Sequence, residues 1–412
     1  MPPDGMMAPE SILGAAGGMT EVFTSTKSCA PICWDAGDDE GQIPPREWLL
    51  GHIFCRRFLS SLLADGGVGK TALRLVQLVS LASGRNLTGE RVFQPCRVLF
   101  VSLEDDLVEL QRRILAITKH HKISRKELKG RLFLWAPKGL RLAEMKDGTV
   151  TVGKLERDLR AMVDEHKIDV ISLDPFVKSH GLQENDNNAV DYVCTLLTKL
   201  AIEKNCAIDA LHHTRKGSSM AGNADSGRGA SAMKDAARLV YTLTQMTSEE
   251  AKQFSIPEDE RRHYIRMDSG KVNIAPASTA AKWFKLVSVP LNNGTDLYPE
   301  GDEVQTVEPW SPPKIWDGLD TVMINRILDQ IEEGLPNGSR YSSASSAGDD
   351  RAAWRVVKHY SPEKTEQQGR EIIKTWLRNG TLYPESYDDP EQRKSRTGLR
   401  VDKDKRPTGS AP

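Results

Sequence analysis

From about residue 50 to residue 290, short apolar runs alternate with longer stretches whose apolar positions recur every three or four residues. The runs FLSSLLA (58–64), CRVLFVSL (96–103), RLFLWA (131–136), DVISLD (169–174), CAIDALHH (206–213), ARLVYTLTQ (237–245), RHYIRMD (262–268) and WFKLVSV (283–289) have the length and composition of strands. Between them, LVELQRRILAITKHH (107–121), VGKLERDLRAMVDEHK (152–167) and AVDYVCTLLTKLAIEKN (189–205) read as amphipathic helices. In the last, Val190, Val193, Leu197 and Leu200 fall on one face. Strand and helix patterns in alternation predict an α/β fold whose mainly parallel central sheet is covered by helices.

The pattern changes at both ends. Residues 1–45 are rich in Gly, Pro, Asp and Met with no sustained period, and are expected to form a flexible arm. Residues 291–318, heavy in Pro, Gly and acids, are expected to link the 46–290 core to a second module over 319–401. That module opens with a helix over 319–334 carrying Val322, Ile327, Leu328 and Ile331, followed by a short helix over 349–360. A third helix is expected to start at Ser361-Pro362, with Ile372, Ile373, Trp376 and Leu377 as its apolar face and Arg370, Lys374 and Arg378 in a row four apart. TLYPESYDDPEQRKSRTGLRV then predicts a strand, a charged turn with Arg393, Lys394 and Arg396, and a returning strand. The polar residues 402–412 read as a disordered tail.

Composition narrows the classes. With 412 residues there is room for a large core and a small module, and the formal charge of −1 excludes polyanion binding by bulk electrostatics. No apolar run is long enough to span a membrane, and the first residues lack a secretory pattern, so a cytoplasmic location is expected. Six cysteines are scattered; only Cys29 and Cys33 are close, and no second pair completes a zinc set.

The chemistry concentrates in LLADGGVGKTAL (62–73). Ala64-Asp65-Gly66-Gly67-Val68-Gly69-Lys70-Thr71 is a phosphate-binding loop pattern with Ala64 in place of the usual first glycine. It follows a predicted strand and opens a predicted helix, the context in which glycines let backbone N–H groups wrap phosphates at a helix N-terminus. Lys70 then reaches the β- and γ-phosphates of ATP and Thr71 ligates Mg²⁺. Two carboxylates end neighbouring apolar runs: Glu104, suited to polarise the attacking water, and Asp174, suited to the Mg²⁺ shell. Asp105 and Asp106 beside Glu104 fit helix capping better. His212 and His213 leave a further strand, where imidazoles can sense a γ-phosphate.

LLADGGVGKTAL, FVSLEDDLVELQRRI, LDPFVKSHGLQENDNNAV, LHHTRKG and GRGASAMKDAARLVYTL, in this order, resemble blocks of the RepA-like AAA-family ATPases, which have a RecA-like P-loop NTPase core. The resemblance covers roughly residues 45–290. It implies that Ala64, Gly66, Gly67, Val68, Gly69, Lys70, Thr71 and Ala72 hold ATP, that Thr71 and Asp174 ligate Mg²⁺, and that Glu104 is the catalytic base. The His212–His213 pair becomes the phosphate sensor, His213 standing where related ATPases carry glutamine. Members assemble as rings, commonly hexamers, with ATP at subunit borders, so a neighbour must contribute a basic residue; Arg228, Arg238 and Lys271 are the candidates. Lys271-Val272-Asn273 departs from a basic pair that other hexamers use, since its last member is Asn. Lys178, Arg215 and Lys216 lie in loops that in such rings face single-stranded DNA. The C-terminal module resembles a winged helix-turn-helix that meets duplex DNA through Arg370, Lys374, Arg378 and the hairpin basics. The expected activity is that of a replicative DNA helicase; the rivals are an ATP-dependent regulator or loader and a recombination or repair ATPase.

Overall fold

The structure, a computed structural model, describes residues 35, 37, 43–182, 186–214, 221–222, 230–254, 256–276, 278, 280–313 and 315–407. Almost all of the expected N-terminal arm, with Cys29 and Cys33, lies outside these residues, as do Arg215, Lys216, Arg228 and the tail from 408.

A small pair of strands, β1 (Trp48–Leu50) and β2 (Phe54–Cys55), leads into β3 (Leu59–Ala64), the phosphate-loop pattern and α1 (Lys70–Ser83). The chain continues through β4 (Val98–Ser102), α2 (Leu107–His120), α3 (Arg125–Leu128) and β5 (Leu132–Trp135). A hairpin, β6 (Ala143–Lys146) and β7 (Thr149–Val152), precedes α4 (Lys154–His166), β8 (Val170–Asp174), α5 (Asn187–Lys204) and β9 (Ala207–His213). Next come α6 (Ala230–Ala236), β10 (Leu239–Gln245), α7 (Ser248–Phe254), β11 (Tyr264–Val272), β12 (Lys282–Pro290) and β13 (Glu303–Trp310).

One nine-stranded sheet runs β13-β12-β11-β10-β3-β9-β8-β4-β5, parallel from β10 to β5 and antiparallel from β10 to β13. Alternation along each parallel strand splits its side chains between two apolar layers. Leu62, Val98 and Phe100 pack with α1 and α2, whereas Leu59, Leu63, Leu99, Val101 and Leu173 pack with α4 and α5. Val190, Val193, Leu197 and Leu200 are all fully buried in the second layer, as the helical period predicts.

The expected linker is not one. Within 291–318 the segment Glu303–Trp310 forms β13, paired with β12 from Trp283↔Trp310 to Pro290↔Glu303, so the sheet continues to residue 310. Val304, Thr306 and Val307 are buried while Glu303 and Gln305 are exposed, and Pro309 is tolerated because β13 is an edge strand.

Beyond it, α8 (Thr321–Glu333), α9 (Trp354–Tyr360) and α10 (Glu366–Arg378) precede a hairpin of β14 (Leu382–Asp389) and β15 (Lys394–Val401) around their own apolar cluster. Three expectations shift. Val322 is exposed, and Ile324 takes the inward place with Ile327, Leu328 and Ile331. The third helix starts at Thr365, whose hydroxyl and Gln368 form a reciprocal capping box, rather than at Ser361-Pro362. Residues 402–407 are tied down, by Arg406 to Asp329 and by the Pro407 carbonyl accepting from Asn325.

Candidate nucleotide site

The ends of β3, β9, β8 and β4, four neighbouring strands, bring the predicted residues to one edge of the sheet. Chain order departs from spatial order here, since β3 connects to β4 across β9 and β8, which opens the crevice in which α/β sheets bind ligands.

The loop between β3 and α1 has the conformation its glycines predict. Gly67 and Gly69 have φ of 79° and 101°. A side chain on Gly69 would also meet Leu286 Cδ2 of β12 at 2.8 Å, so that position needs glycine twice over. Gly69 is the N-cap of α1 and offers no side-chain cap, which leaves the first-turn N–H groups for an anion. Ala64 and Ala72 are buried beneath the loop, and Val68 anchors it in the apolar layer.

Lys70 is almost fully buried, and burial pushes its ammonium down to about 8. Its Nζ lies 3.1 Å from His213 Nδ1. Thr71 Oγ1 donates to Asp174 Oδ2 at 2.5 Å. Burial raises the Asp174 carboxyl above its usual range, against the opposing pull of Lys70 and Thr71. A buried ammonium and a buried carboxyl, each shifted by burial against the pull of the other and lying beside an uncapped helix N-terminus, fit a magnesium-bound triphosphate.

Glu104 follows β4, and its half-exposed carboxylate is 3.0 Å from Lys178 Nζ. The neighbouring acids have structural duties. Asp106 caps α2 by accepting from the Glu109 N–H at 2.8 Å, and Asp105 pairs with Arg113 at 3.0 Å. Lys178, expected to touch DNA, sits on a 3₁₀ turn (Phe176–Ser179) just past Asp174 and faces the site.

His212 does not join the site. Successive side chains of a strand point to opposite faces, and His213 takes the face of Lys70. His212 is fully buried on the other face with its ring edge-on to Phe176, centroids 5.8 Å apart. Of the two histidines only His213 reaches the loop, and burial and Lys70 hold its imidazole below the ordinary value.

Beneath the loop lies a buried ion pair that the sequence motifs do not reveal. Asp209 of β9 accepts from Arg74 Nε and Nη2 at 3.1 and 3.0 Å, from Ser60 Oγ at 3.1 Å and from Ser172 Oγ at 3.0 Å. Arg74 and Asp209 are both fully buried, so α1 is bolted to β3, β8 and β9. Lone charges within the apolar runs ALRLVQL and CAIDALHH were the available signal.

Arg238 and Lys271 lie away from this edge. Arg238 is exposed just ahead of β10, with its N–H bonded to the Leu59 carbonyl at the opening of β3. A strand the length of β3 separates that end from the loop, roughly 20 Å. Lys271 pairs with Val240 of β10, and its Nζ donates to the carbonyls of Lys234 and Asp235 at 2.6 and 2.9 Å, capping α6. In this chain the Lys271 ammonium is therefore engaged in capping α6.

In the C-terminal module, Arg370 is paired with Glu366 at 2.8 Å and lies over Trp354. Lys374 is 3.4 Å from Glu371, and Arg378 is exposed. Arg393 and Lys394 are exposed at the hairpin turn, while Arg396 pairs with Asp389 at 3.1 Å.

The sequence model of the AAA domain family matches residues 24–219, the stretch that carries Lys70, Thr71, Glu104, Asp174 and His213. That match and the site geometry support an AAA-type P-loop ATPase that binds nucleotide. No helix among the described residues is long and apolar enough to cross a membrane.

Proposed function

We propose that this chain is a magnesium-dependent ATPase of the RepA-like kind that assembles as a ring and moves on DNA as a replicative helicase. When bound, Mg²⁺–ATP supplies the phosphoryl group that passes to water. The chain's own residues set up that transfer. N–H groups of the loop from Gly66 to Thr71 and the Lys70 ammonium hold the phosphates, while Thr71 Oγ1 and Asp174 hold the metal. Glu104 orients the attacking water and takes its proton at a carboxylate oxygen. His213, in contact with Lys70, links the loop to the end of β9.

The observation that carries the ring reading is the placement of Arg238. It is exposed at the end of the sheet remote from its own loop, out of reach of its own nucleotide and open to a neighbouring subunit. The three helices and hairpin of the C-terminal module support duplex binding by a winged helix, with exposed Lys374, Arg378, Arg393 and Lys394 towards phosphate.

Strand displacement on a forked duplex, measured beside ATPase activity with and without single-stranded DNA, tests the proposal. Displacement that needs ATP and is lost in Lys70→Ala is expected. DNA-stimulated hydrolysis without displacement would move the reading to a loader, a regulator or a repair ATPase.

A further inference from the structure

Asp65 poses an electrostatic problem. It is the first residue of a loop that must wrap a polyanion, and a carboxylate there repels phosphate unless it is directed elsewhere. The structure directs it to Thr214, the residue that follows β9. Thr214 Oγ1 donates to Asp65 Oδ1, and the Thr214 N–H donates to the Ala64 carbonyl at 3.0 Å. The cause is register: β3 and β9 are adjacent and parallel with Ala64 opposite His213, so the next residue of each strand falls beside the other. The preceding residue, His213, touches Lys70 at the far end of the same loop. Two successive residues leaving β9 therefore grip the first residue of the phosphate loop and its lysine.

We propose that Thr214 is a positioning residue that holds the Asp65 carboxylate out of the phosphate path, so that the end of β9 sets the affinity of the loop for a nucleoside triphosphate. This rests on reading residues 64–72 as a nucleotide site. In this role Thr214 touches neither phosphate nor water; it acts through Asp65. Removing the hydroxyl takes away one contact that directs the half-buried Asp65 away from the incoming phosphates, and binding weakens while the groups around Glu104 are unchanged.

The test is the dissociation constant of a non-hydrolysable ATP analogue with Mg²⁺, read beside kcat and KM for ATP. In Thr214→Val, which keeps the shape of the side chain, the dissociation constant should rise by about tenfold or more, the scale of losing a hydrogen bond to a charged group. Its kcat at saturating ATP should stay within about threefold of wild type, a split that marks lost binding rather than lost chemistry. Thr214→Ser should bind like wild type. Adding Asp65→Asn to Thr214→Val should restore affinity, because the repelling charge is gone; a merely structural role for the hydroxyl would not be rescued this way. Wild-type affinity in Thr214→Val, or no recovery in the double variant, would overturn the proposal with the nucleotide site intact. Analogue binding as weak in wild type as in Lys70→Ala would instead overturn the nucleotide reading, and the proposal with it.

Discussion

Lys178 spans from one side of the site to Glu104 on the other, with Nζ 3.0 Å from Oε1. Its backbone is fixed: the Lys178 N–H donates to the Pro175 carbonyl at 3.2 Å, and its own carbonyl accepts from Arg141 Nη1 at 2.5 Å. Only the side chain is free to choose between Glu104 and an external anion such as a DNA phosphate. Lys178→Ala should therefore raise ATP turnover measured without DNA and flatten any stimulation by DNA. The rise should not exceed about fivefold, since a half-exposed pair is worth at most about 1 kcal/mol. Phosphate release with and without an oligodeoxythymidine checks it. A drop of about tenfold or more would mean that Lys178 acts on the nucleotide itself.

Burial holds Lys70 down at about 8, against an ordinary 10.5, and the phosphates need its charged form. Affinity for a non-hydrolysable ATP analogue should be full below pH 8 and fall as pH rises through it, by up to about tenfold per pH unit. His213 is held below its ordinary value, mainly by burial, and stays neutral across this range. Stability has the opposite sign. Between about 8 and 10.5 the unfolded chain keeps a proton that the folded chain has released, so this one group favours folding as pH rises. Titration calorimetry from pH 7 to 9.5 reads the affinity, and a flat profile would disprove the assignment.

The Arg74–Asp209 pair has no water to fall back on. Asp209→Ala should destabilise the fold by about 3–5 kcal/mol, because it strands a buried guanidinium. Asp209→Asn, which keeps one acceptor oxygen and fills the same space, should cost less. Thermal unfolding of the two variants gives the comparison, and equal midpoints with wild type would show that the network does not hold α1.

Much of the core was legible because its period is strong and its strands are buried on both faces. The eight expected strands all exist, and their ends shift by a few residues at most. β13 escaped because an edge strand is paired along one side only and can sit in the composition of a loop, proline included. The β6–β7 hairpin carried a usable signal in Asp147-Gly148, both with positive φ as a tight hairpin turn requires. Within the site, the loop, Glu104 and Asp174 were readable because strand ends and motif coincide. His212 and His213 were not separable, since one residue of register exchanges their faces. The Lys178–Glu104 and Thr214–Asp65 contacts join residues far apart in sequence, and no local pattern announces them.

If Arg238 completes a neighbour's site, then Arg238→Ala and Lys70→Ala proteins, each impaired alone, should regain some ATPase activity when mixed. At a mixed border the intact Arg238 of one subunit meets the intact loop of the other. Activity plotted against mixing ratio, in subunits shown to co-assemble, should pass through a maximum. A curve that never exceeds the two parents would place Arg238 in cis or outside the reaction.

Deleting the C-terminal module tests the division of labour, and β13 decides where to cut. Truncation ahead of residue 303 would strip an edge strand from the sheet and expose β12, whereas truncation after residue 318 keeps β13 whole. The module has its own apolar cluster, built from α8, α9, α10 and the hairpin, so the shorter chain should retain a folded core and its basal ATPase activity. Duplex affinity should fall and lose part of its salt dependence as basic side chains leave, with a slope change of about 0.9 for each phosphate no longer neutralised. Charge reversal at Lys374 and Arg378 should reproduce part of that effect, as both are exposed on α10. Reversal at Arg370 or Arg396 is a poorer probe, because it also breaks the pairs with Glu366 and Asp389. Unchanged duplex affinity in the truncated chain and in the Lys374 and Arg378 variants would assign the module to protein contacts. A loader or regulator would then account for the chain better than a helicase that holds DNA at two places.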